Sequence, residues 1–92
     1  MNQNEIKILK DTLFIMSKEA KIYLFGSRTD DSKKGGDIDL LVLSDTLSKK
    51  DIRKLRIEFI KNFGEQKIDI VLDSFSLSTP FCKYIFPKAI KL

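Results

Sequence analysis

Two short β-favouring runs, DIDLLVL (37–43) and KIDIVL (67–72), are separated by a single helix-length segment with one apolar face. This spacing constrains the fold more than any other feature. A helix linking two strands of one sheet makes a right-handed crossover, and the strands it joins run parallel. Ser48 with Asp51 three residues on reads as the capping box of that helix. Ile52, Leu55, Phe59 and Phe63 form its buried stripe, and Gly64 is its stop. An earlier run, KIYLF (21–25), predicts another strand. It leads into GSRTDDSKKGG (26–36), which has no periodicity and must be a loop, so the first two strands are expected to be antiparallel.

The ends of the chain complete the pattern. Asn2 or Asn4 caps a helix carrying Ile6, Leu9, Leu13 and Met16, with its end expected near Ala20. Thr79 and Pro80 open a last helix expected to run through Phe86. Pro87 ends or kinks it, and the tail KAIKL is expected to dock through Ile90 and Leu92. The prediction is an α+β fold, a mixed sheet of about three strands packed with helices. At 92 residues it is read as one domain, 1–92, with a single core.

Composition removes several kinds of chemistry. There is no His, so neither Ser-His nor Cys-His catalysis is available and zinc lacks its usual ligands. A single Cys, Cys82, excludes an intramolecular disulfide and fits a reducing cytoplasm. No apolar run reaches the roughly 18 residues of a membrane span, and MNQNEIKILKD is too polar for a signal peptide. The net charge of +4 comes from basic residues that mostly alternate with acidic ones, apart from the pairs Lys33-Lys34 and Lys49-Lys50. That pattern reads as a solvated surface, and neither nucleic acid nor membrane is expected as a partner.

What remains is carboxylate chemistry. Asp37 and Asp39 alternate along a strand, so they share one face, while Ile38, Leu40 and Val42 take the other. Adjacent like charges at the rim of an apolar strand repel, and a divalent cation converts that repulsion into a binding site. Oxygen ligands without His point to Mg²⁺ or Mn²⁺. The plainer alternative is an Asp-x-Asp that merely opens a strand at the solvent edge. Asp69 weighs against it, because its strand is otherwise apolar and an unpaired buried charge there is expensive. Three carboxylates on neighbouring strands suit two metal ions roughly 3.5–4 Å apart, a clamp for in-line displacement at phosphorus. Gly26-Ser27, directly after the first strand, offers a tight turn, backbone N–H donors and a hydroxyl for a phosphate.

Gly26-Ser27, nine intervening residues, Asp37-x-Asp39 and the later strand Asp69 together resemble the minimal nucleotidyltransferases of the DNA polymerase β superfamily. The likeness covers nearly the whole chain and implies the polymerase β palm-like fold. It implies that Gly26 and Ser27 hold the triphosphate, with Arg28 a further phosphate contact. Asp37 and Asp39 would bind two Mg²⁺, and Asp69 would complete the metal site and help activate an acceptor hydroxyl. The implied reaction moves a nucleoside monophosphate, AMP from ATP, to that hydroxyl. Small proteins of this kind resemble antitoxins paired with helical HEPN-domain toxins, whose tyrosine would be the acceptor.

A second reading keeps the fold and drops turnover: a neutralising partner protein that binds nucleotide. Its support is the loop, which has nine residues where many relatives have ten and places Asp30 and Asp31 where they often carry Arg and Gly. Either reading expects a protein interface. Ile8, Ile15, Ile57 and Ile60 lie off the main helix stripes, and Phe81, Tyr84, Ile85 and Phe86 crowd the last helix.

Overall fold

The computed structural model describes residues 1–26 and 38–92. Helix α1, Gln3–Met16, starts at Asn2. The Asn2 side chain accepts the Glu5 N–H at 2.8 Å, and the Glu5 carboxylate accepts the Asn2 N–H at 2.9 Å. This reciprocal box satisfies donors that the first turn leaves without intrahelical partners. The helix ends at Met16, short of the Ala20 expected from its pattern. Ser17 adopts an extended conformation and its hydroxyl turns to Glu19. Glu19 Oε1 also accepts from the hydroxyls of Ser44 and Thr46, both at 2.8 Å. Hydrogen bonds from Thr46 and Ser44 hold the Glu19 carboxyl below the usual range. Residues distant in sequence thus draw the chain out of the helix.

Strands β1 (Lys21–Phe25), β2 (Ile38–Leu43), β3 (Ile68–Asp73) and β4 (Ile90–Lys91) form one sheet in the order β3-β2-β1-β4. β1 pairs antiparallel with β2, and β2 pairs parallel with β3, as the crossover requires. The crossover is helix α2, Lys49–Phe63. The Asp51 carboxylate accepts the Ser48 N–H at 2.9 Å at its start, and Gly64 at φ 81° follows its last residue. Two features differ from expectation. β3 is shifted by one residue from 67–72, because the Asp73 carbonyl accepts the Ser44 N–H at 3.0 Å and Asp73 pairs in register with Leu43. The docked tail is itself a strand, β4, antiparallel to β1, and Leu92 N–H donates to the Ile22 carbonyl at 3.1 Å.

Alternation divides the sheet between two cores. Ile22, Leu24, Ile38, Leu40, Val42 and Ile68 pack with Leu9 and Leu13 of α1 and with Leu55 and Phe59 of α2. Leu41 and Leu43, on the other face, pack with Cys82 and Ile85 of helix α3, Pro80–Ile85. A 3-10 turn, Phe86–Lys88, follows α3, so the α-helix ends one residue before the expected Phe86. Cys82 is fully buried, and burial pushes its thiol up, which leaves it a packing residue.

Asp73 anchors α3 to the sheet. Its carboxylate accepts from Ser74 N–H at 2.7 Å, Ser78 Oγ at 2.6 Å, and both the N–H and Oγ1 of Thr79 at 3.1 Å. Burial pushes this carboxyl up, but the bonds from Ser78, Thr79 and Ser74 outweigh it and leave it well below the ordinary carboxylate range. A depressed folded pKa contributes stability that is present above the unfolded value of about 4 and lost as pH falls below it. Asp73→Asn replaces an acceptor with a donor and is expected to cost about 2 kcal/mol at neutral pH. Urea unfolding at pH 7 and pH 3 checks this: the gap between wild type and Asp73→Asn should narrow at pH 3. An equal gap at both pH values contradicts the assignment.

Candidate active site

β1 ends in the core at Phe25, and the chain turns at once through Gly26 with φ 77°. In this region an L side chain meets its own carbonyl, so glycine is favoured. The surroundings exclude a side chain as well. A Cβ on Gly26 would lie 2.5 Å from Asp39 Oδ2 and 3.3 Å from Asp39 Cγ. The carboxylate of Asp39 therefore occupies the space over the turn that any other residue would need.

Asp39 stands opposite Phe25 on β1 and in parallel register with Asp69 on β3. Its alternation with Leu41 and Leu43 puts it on the α3 face, and in-register side chains of parallel strands share a face. Asp39 and Asp69 are thus lateral neighbours on strands roughly 4.8 Å apart. Like charges directly opposite each other on a sheet are destabilising. A donor set of carboxylate oxygens in this arrangement suits a hard divalent cation.

Of the predicted site residues, the structure brings together Gly26, Asp39 and Asp69. Ser27, Arg28 and Asp37 lie outside the described residues. One expectation is corrected: Asp69 is exposed. Asp69 lies near the start of the edge strand β3 and keeps its contact with water. Sequence reasoning missed Phe25, whose ring stands edge-on to that of Phe81 with centroids 6.0 Å apart. The available signal was an aromatic residue immediately before the Gly-Ser turn.

Gly26→Ala is expected to destabilise by about 1–2 kcal/mol from backbone conformation alone, with the Asp39 contact adding to it. Combining it with Asp39→Ala removes the obstructing carboxylate. The double variant should be more stable than the sum of the two single changes by about 1 kcal/mol, read from denaturant midpoints. Strict additivity would mean that the turn and the carboxylate do not touch.

No curated protein matches the chain significantly. A family profile described as a nucleotidyltransferase domain matches residues 6–91. The matched span takes in all four strands, the Gly26 turn, Asp39 and Asp69. No helix among the described residues is long and apolar enough to cross a membrane. With its mixed sheet, glycine turn and in-register acidic strands, the chain belongs to the nucleotidyltransferase-domain family of the polymerase β-like superfamily.

Proposed function

We propose that this protein transfers AMP from ATP to a hydroxyl of a protein partner, a tyrosine of a helical HEPN-domain toxin, in the role of an antitoxin. Membership of the family implies an NTP substrate and nucleotidyl transfer. The observation that carries the reading is the Gly26 turn closed over Asp39, with Asp69 in register beside it. A glycine turn and adjacent carboxylates are the two halves that this reaction needs.

Enzymes of this superfamily generally use divalent metals. Asp37, Asp39 and Asp69 would hold Mg²⁺, which when bound neutralises phosphate charge and aligns the attacking and leaving oxygens. Backbone N–H groups after the Gly26 turn and the Ser27 hydroxyl hold the triphosphate, and Arg28 offsets its charge. The acceptor oxygen attacks the α-phosphorus, and the bond to the bridging oxygen breaks. Pyrophosphate leaves with the electron pair, and the acceptor proton passes to Asp69. An exposed carboxylate on an edge strand is open to an acceptor carried by another macromolecule.

The test incubates the protein with a HEPN-domain candidate, Mg²⁺ and ATP labelled at the α-phosphate. Label is expected on the partner and is expected to fall to background with Asp39→Asn or Asp37→Asn. Efficient labelling of a free small molecule without the partner contradicts the protein acceptor. Nucleotide binding with no pyrophosphate release under any of these conditions supports the binding-only reading instead.

A further inference from the structure

The exposed apolar and aromatic side chains are spread over the molecule, and among the described aromatic ones Phe81 packs on Phe25, the residue before Gly26. Phe14, Ile15 and Ile57 belong to α1 and α2, which cover the opposite face of the sheet. Phe75 follows β3 at the end remote from Asp69, with its N–H on Asp45 Oδ1 at 3.2 Å. Tyr84 already has a cation on its ring, Lys88 Nζ at 4.0 Å from the centroid. Phe81 is 52% exposed and packs edge-on against Phe25, with the ring planes at 74°. Phe25 immediately precedes Gly26 and is the register partner of Asp39. The open ring of Phe81 thus stands one side chain away from the turn and the carboxylate, on their face of the sheet.

We propose that Phe81 is the stacking surface for the base of the bound nucleotide, an assignment that rests on the nucleotidyl-transfer reading above. A nucleotide whose phosphates lie at the Gly26 turn extends its base over the neighbouring surface, and Phe81 is the aromatic ring placed there. Phe25 buttresses the ring from one side, so little side-chain freedom remains to be lost on stacking. Every base has a π-face, so this contact adds affinity without choosing between bases. A partner protein is the other possible occupant, but contact with the residue that leads into the phosphate turn favours the base.

Calorimetric titrations in Mg²⁺ with ATP and with inorganic tripolyphosphate separate these cases. Phe81→Leu is expected to weaken ATP about tenfold and leave tripolyphosphate unchanged, while Phe81→Tyr keeps wild-type affinity. The chain has no Trp, so Phe81→Trp adds a single fluorescent reporter that does not depend on the Leu variant folding. ATP should quench it and tripolyphosphate should not. Unchanged ATP affinity in Phe81→Leu, or no quenching of Phe81→Trp by bound ATP, assigns the ring to a protein contact and overturns the proposal while nucleotide binding stands. A wild-type protein that binds neither ligand overturns the functional reading and this assignment together.

Discussion

The contact between Gly26 and the Asp39 carboxylate is the constraint on which the rest of the site depends. It joins the end of β1 to the start of β2 at a point where a single added carbon would lie 2.5 Å from an oxygen. The turn cannot move away without opening the antiparallel pairing of Phe25 with Asp39. On the other side of β2, Asp69 stands in register on the parallel neighbour. Backbone conformation, sterics and like-charge repulsion converge on one small volume.

The remainder of the fold holds those strands in register. Helix α2 makes β2 and β3 parallel, which sets Asp39 beside Asp69 and not one residue out of step. A shift of one residue would send Asp69 to the α1 and α2 face and Ile70 to the other, so the apolar pattern of β3 locks the acidic pair in place. On the opposite side of β1, β4 covers what would otherwise be a bare edge. Asp73 ties down the start of α3 through hydrogen bonds from Ser78 and Thr79, and Phe81 in its first turn packs against Phe25. The Asp73 bonds thus lie at the end of the sheet remote from the turn, and the candidate site lies at the near end.

Local chemistry was legible wherever neighbouring residues carry it. Asn2 with Glu5, Ser48 with Asp51, Gly64, and Thr79 before Pro80 all mark helix ends that the structure reproduces. The two-faced pattern of β2 was equally clear, since alternation needs no knowledge of the partner. What escaped depends on contacts between distant segments. α1 stops early because Glu19 collects hydroxyls from Ser44 and Thr46 across the fold. β4 is only two residues long, and such a pairing leaves no periodic trace. Asp69 looked buried because its sequence neighbours are apolar, but it is exposed near the start of β3, whereas Asp73 on the same face is buried where Ser78 and Thr79 close over it. Arg28, Ser27 and Asp37 carry expectations from the sequence that lie outside the described residues.

If the in-register acidic pair holds a divalent cation, that ion binds the folded chain and stabilises it. Thermal unfolding of wild type and Asp69→Asn, with and without Mn²⁺, measures this directly. Asp69→Asn is expected to be at least as stable as wild type without metal, since one of two like charges in register is gone. Mn²⁺ should raise the wild-type melting temperature and leave that of Asp69→Asn nearly unmoved. A variant that melts lower than wild type without metal, or that keeps the full Mn²⁺ shift, would contradict it.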